Sequence, residues 1–149
     1  HCRIRVGDEI TFNRWNILDR SEPTAEFKRV VEVIVHEGYD YQSNEEKHDI
    51  CLCRLDSDAK TEPARLPTPE EAEIYQKPNQ LLTVAGWGQT GYNDPRSITL
   101  RWVNVPVMSN IKCGDSRHYG ALGKTIWDTN ICAGRDQGGI DSCKGDSGG

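Results

Sequence analysis

Apolar positions along this chain come in short runs, each bounded by turn-forming residues. Phe27 to His36 is rich in Val and Ile and reads as a strand. Ile50 to Leu55, Leu81 to Trp87 and Leu100 to Met108 repeat the pattern, separated by Gly, Pro, Asn or Asp. A helix is expected near Ser109 to Tyr119, where the Ser109 hydroxyl can accept a free backbone N–H of the first turn. Pro69 to Gln76 has helical composition but is fenced by prolines. The pattern predicts an all-β protein of short strands and many turns.

The stretch from Glu62 to Gln80 holds Pro63, Pro67, Pro69 and Pro78. Proline cannot donate to a sheet ladder, so this stretch is expected to be a connector between two strand clusters. The chain therefore divides into residues 1–61, 62–80 and 81–149, with no internal repeat and no low-complexity tract.

Composition narrows the class. The 149 residues are 36% hydrophobic and 28% charged, as in a globular domain, and no apolar run reaches the roughly 18 residues that a membrane span needs. A net charge of −5 gains little from a phosphate backbone, so nucleic acid is disfavoured as a partner. Six scattered cysteines suggest an oxidising compartment. None of their spacings is that of a paired CxxC zinc site, so no metal is expected from them. All-β barrel enzymes run to about 200–250 residues, so a barrel enzyme would be incomplete at this length.

The most informative segment is Asp141-Ser142-Cys143-Lys144-Gly145-Asp146-Ser147-Gly148-Gly149. Its residue types suit a surface turn. They also suit an oxyanion hole, because glycines flanking a serine let several backbone N–H groups converge on one point. A serine hydroxyl becomes a useful nucleophile when a base takes its proton, and histidine is the usual base.

Four segments occur in order: His1-Cys2, then His48-Asp49-Ile50-Cys51-Leu52-Cys53-Arg54-Leu55, then Ala85-Gly86-Trp87-Gly88, then Gly145 to Gly149. They resemble the signature segments of the chymotrypsin/trypsin family of serine proteases. Val33 to Tyr39 and Asn104 to Val107 add smaller matches, and the His…Asp…Ser order separates this family from the α/β-hydrolases and subtilisins. The insect clip-domain proteases are a good resemblance through Leu82 to Gly88 and Asp141 to Gly149.

The resemblance implies two six-stranded antiparallel Greek-key β-barrels, incomplete at both ends here, in a fragment running from the catalytic histidine to the serine loop. It implies His1 as general base, Asp49 as its orienting carboxylate and Ser147 as nucleophile. The N–H groups of Gly145 and Ser147 would form the oxyanion hole. Asp146 would pair with the new N-terminus made by zymogen cleavage. Asp141 would lie at the floor of the primary pocket and select Arg or Lys. His48, His36 and His118 are read as having no catalytic part. The expected partners are protein or peptide substrates carrying Arg or Lys, together with protein protease inhibitors. The expected setting is a secreted monomer without nucleic-acid or membrane partners, and the fragment by itself is expected to be inactive.

The resemblance also pairs Cys113 with Cys132 and leaves Cys2 and Cys143 without partners. Cys51 and Cys53 stand where the family carries Ala and Leu, and are read as small buried apolar residues. Arg65 stands where several cascade proteases carry a tethering cysteine. The loop holding Asp8, Glu9, Asp19, Glu22 and Glu26 matches one that binds calcium in trypsins, although its length differs and a solvated acidic loop is the reading preferred. No other cofactor is expected. The alternative to an active peptidase is a non-catalytic homologue that binds partners in a cascade, a class that usually lacks a triad member.

Overall fold

The computed structural model describes residues 4–40, 42 and 47–148. It is built mostly of strands, in two antiparallel sheets of three strands each, with few helices. This is the all-β architecture that the sequence leads one to expect. Neither sheet closes into a barrel among the described residues.

The first sheet has the order β1 (Glu9–Phe12), β2 (Glu26–Val35), β3 (Cys51–Leu55). Its centre is Val30, 1% exposed and the most deeply buried side chain described. In β3, Cys51, Cys53 and Leu55 are half-buried while Leu52 and Arg54 are exposed, the period-two alternation of a strand with one covered face. Arg54 Nε reaches Glu32 Oε2 across the strands at 2.7 Å. The ladder between β2 and β3 shifts register between Val30 and Glu32.

The second sheet has the order β4 (Leu81–Gly86), β5 (Arg101–Met108), β6 (Cys132–Ala133). Val105 and Val107 of β5 are buried. Together with Cys113 and Cys132, which are joined in a disulfide, they form the second core. Pro106 lacks an N–H yet lies in the middle strand, where its carbonyl accepts from Gly134 N–H at 2.9 Å.

The helices differ from the sequence reading. Ser109 caps a helix, its hydroxyl accepting Lys112 N–H, but α2 spans only Asn110–Cys113. Gly114 N–H closes onto Asn110 O, and Asp115 then turns its carboxylate to Arg117 N–H, which competes with further helix. A separate 3-10 turn follows at Tyr119–Leu122. Within the connector, α1 (Pro69–Tyr75) forms behind a capping box: Thr68 accepts from Glu71 N–H, and the Glu71 side chain accepts from Thr68 N–H. Pro69 sits in the first turn, where its missing N–H would have no helical partner.

The two sheets are stitched together near the Trp87 turn. Trp87 Nε1–H donates to Trp15 O at 3.0 Å. Ile17 N–H donates to Ile98 O, and Leu100 N–H to Trp15 O.

Candidate active site

Ser147 lies on an exposed turn, between Gly145 at φ 110° and Gly148 at φ 90°. Only glycine takes such positive φ values at little cost. The turn is fixed by the side chain beside the serine. One oxygen of Asp146 accepts from Gly88 N–H at 2.7 Å, and the other from Cys143 N–H at 2.9 Å. Asp146 N–H closes back onto Cys143 O at 3.0 Å, and Gln89 N–H donates to Lys144 O.

This clamp explains both glycines of Gly86-Trp87-Gly88. A Cβ at Gly86 would overlap the Asp146 carboxylate, and a Cβ at Gly88 would lie 2.5 Å from it. In the sequence the turn stands out as a family signature, and in the structure it is the seat of the Asp146 carboxylate. The signal was present: two glycines around a tryptophan leave room for a close approach. The half-buried carboxylate is satisfied by backbone donors, as burial of an acceptor requires.

Asp141 is exposed, its carboxylate accepting from Ser142 N–H at 2.8 Å. It lies between two clefts of about 690 and 510 Å³. The first is lined by Leu82, Val84 and Val105 among others, and the second by Gly86, Gly88 and Trp102 among others. The expected pocket floor is thus an exposed carboxylate at a cleft junction among the described residues.

Asp49 is half-buried, just ahead of β3. His48 before it adopts φ 55°. Ile50 N–H donates to His48 O at 2.7 Å, and His36 N–H to Ile50 O at 3.1 Å. Lys47 carries its ammonium 4.5 Å from the centre of the Trp127 ring, so the segment leading to Asp49 touches the disulfide loop of the other half. His1, Cys2 and Gly149 lie outside the described residues.

That disulfide loop runs between Cys113 and Cys132, 19 residues apart. Within it, His118 Nδ1 lies 2.7 Å from Asp115 Oδ1 and its Nε2 lies 3.5 Å from Asp136 Oδ1, while Lys112 also pairs with Asp136. Arg117 N–H foremost, and then His118, hold the Asp115 carboxyl well below the usual carboxylate range. Such a lowered group stabilises the fold above the ordinary carboxylate range and loses that contribution only as acid titrates the folded form.

Cys51 is disulfide-bonded, which corrects its reading as a small apolar residue. Cys53 and Cys143 are free thiols, each half-buried. Arg65 forms a forked pair with Glu71 and so braces the start of α1.

The acidic loop is closed by its own donors. Glu22 accepts Trp15 and Asn16 N–H at 2.7 and 2.6 Å. Glu26 accepts Lys60 N–H and pairs with Lys28, Glu9 pairs with Arg20, and Asp8 accepts Arg5 N–H. No group of three or more His, Cys, Asp or Glu suited to a metal occurs among the described residues. No described helix is long and apolar enough to cross a membrane.

The family model described as Trypsin matches residues 2–149. The chain is 31% identical over 153 residues to CLIP domain-containing serine protease HP8 of Bombyx mori, covering 99% of this chain and 40% of that protein. It is 34% identical over 122 residues to serine protease filzig of Drosophila melanogaster, covering 82% of this chain and 7% of that protein. It is 30% identical over 154 residues to coagulation factor IX of Cavia porcellus, covering 100% of this chain and 52% of that protein. The chain therefore spans about half or less of the length of each of these relatives.

Proposed function

The chain belongs to the trypsin family of serine proteases, and from that premise we propose that it carries the working parts of an endopeptidase that cuts after Arg or Lys. The observation that carries the reading is the Asp146 clamp. A carboxylate held by Gly88 and Cys143 N–H fixes the backbone just ahead of Ser147, which an oxyanion hole needs, since its donors must be in place before charge develops.

In this reading His1 takes the proton of Ser147 as the serine oxygen attacks the carbonyl carbon after Arg or Lys. The developing oxyanion is met by the N–H groups of Gly145 and Ser147. Asp49 holds the imidazole in the useful tautomer and stabilises its charged form. Protonated His1 then gives its proton to the leaving amine, and an acyl-enzyme on Ser147 remains. Water attacks the acyl group with His1 again as base, releasing the acid and restoring the hydroxyl. Asp141 meets the guanidinium or ammonium of the substrate across the cleft junction. Asp146 has a second part in zymogen control: the N-terminus freed by cleavage pairs with the same carboxylate and sets its final position. The disulfides and this chemistry support a secreted enzyme acting on proteins.

The test is hydrolysis by the natural full-length protein after activation. Arg and Lys esters and amides should be cleaved, with Phe esters slower by about 10⁴-fold. The rate should rise with pH as His1 loses its proton and becomes able to act as a base. Ser147→Ala should lower kcat on the order of 10⁶-fold. A wild-type protein correctly cleaved yet no faster than Ser147→Ala would support the non-catalytic homologue instead.

A further inference from the structure

The segment that presents Asp49 is held by a feature that the proposed mechanism does not use. The rings of His36, which follows β2, and His48, which precedes Asp49, are stacked with centroids 4.5 Å apart and planes 6° from parallel. Gly38 lies against both. Its N–H donates to His36 Nδ1 at 3.0 Å. A Cβ at Gly38 would stand 2.8 Å from His48 Cδ2 and 3.3 Å from His36 Nδ1. The stack therefore needs a glycine there for space alone, since Gly38 is not among the residues with positive φ.

His48 itself is at φ 55°, a left-handed conformation that is uncommon outside glycine and in which Asn, Asp and His are enriched. That twist lets Ile50 N–H close on His48 O, while His36 N–H takes Ile50 O. The residue enclosed by these contacts is Asp49. Its backbone is thus fixed from both sides: by the ladder through Ile50, and by a ring that keeps His48 in its unusual twist.

We propose that the His36–His48 stack, seated on Gly38, is a positioning device that sets the direction of the Asp49 carboxylate. This rests on the reading of Asp49 as the orienter of the catalytic histidine. His36 and His48 are positioning residues; neither takes part in the chemistry. Loss of the stack frees the His48 twist and rotates Asp49, and misplacement of a catalytic group by about 1 Å can cost on the order of 10²-fold in rate.

The experiment uses the activated full-length enzyme and reports kcat per titrated active site. Gly38→Ala adds one methyl where His48 Cδ2 now lies. His48→Asn keeps tolerance of the left-handed twist but removes the ring. Both should lower kcat per active site by roughly 10- to 100-fold, with KM changed by less than about twofold and Tm by less than about 4 °C. His36→Phe keeps a flat ring for stacking and should retain kcat within about threefold. Unchanged kcat per active site in Gly38→Ala and His48→Asn overturns the proposal. So does a loss confined to Tm or to the number of titratable sites, which is what a merely structural role would give. Failure of the wild-type enzyme to react with the titrant overturns the parent reading and is seen before any variant is made.

Discussion

Asp146 shows how a single side chain decides whether its neighbour can work. Its carboxylate is the link between the Gly86-Trp87-Gly88 turn and the Ser147 loop, and the two glycines of that turn are the room it needs. Gly88→Ala tests this. The backbone at Gly88 is open to alanine, since its φ is not positive, so the cost is steric: the new methyl meets the carboxylate at 2.5 Å. The variant should lose about 1–3 kcal/mol of stability and lose activity out of proportion to that, because the displaced Asp146 carries Ser147 with it. Denaturant melts and kcat/KM on the same samples check it. The candidate residues Gly145 to Gly149, Asp49 and Asp141 are proposed from motifs whose residue types are fixed by chemistry. The partner of Asp146 was not legible in the sequence, because a hydrogen bond between residues 88 and 146 leaves no local pattern. The disulfide state of Cys51 was hidden for the same reason: pairing is a long-range fact that spacing cannot fix.

Among the elements, the long strands were readable to within a residue or two. The expected Phe27 to His36 is β2 (Glu26–Val35), and Leu100 to Met108 is β5 (Arg101–Met108). Alternation over five or more residues is a strong signal. β1 and β6, of four and two residues, are too short to show a period. α2 was overextended because the cap at Ser109 was weighed without Gly114 and Asp115, which end the helix almost at once. α1 was missed, since Pro69 to Gln76 was set aside as fenced by prolines; the capping box of Thr68-Pro69-Glu70-Glu71 outweighs them. The element that depends most on covalent chemistry is the loop closed by Cys113 and Cys132. Replacing both cysteines by serine should cost about 3 kcal/mol by the loop-closure argument. It should also loosen the Lys47–Trp127 contact, seen as a change in tryptophan fluorescence together with the drop in Tm.

At the scale of the molecule, two three-stranded sheets are joined along a seam of contacts from Trp15 to Trp87 and Leu100, and from Lys47 to Trp127. Asp49 belongs to one side of that seam and Ser147 to the other. A two-part architecture of this kind can bring a base and a nucleophile together from distant points in sequence. Buried side chains are few among the described residues: Val30 in one half, and Val105, Val107 and the Cys113–Cys132 pair in the other. Ile34, Leu52 and Trp102 are each more than half exposed, so each sheet covers one face better than the other. The active-site claim depends on the relation between the halves rather than on either core.

That claim is tested most directly by labelling. The activated full-length enzyme is treated with a peptidyl phosphonate carrying an arginine-like side chain, with and without benzamidine, and the adduct is mapped by mass spectrometry. The account predicts a single adduct on Ser147, suppressed by benzamidine and by acid that protonates the base. An adduct elsewhere, or none on an enzyme shown to be correctly cleaved, would contradict it.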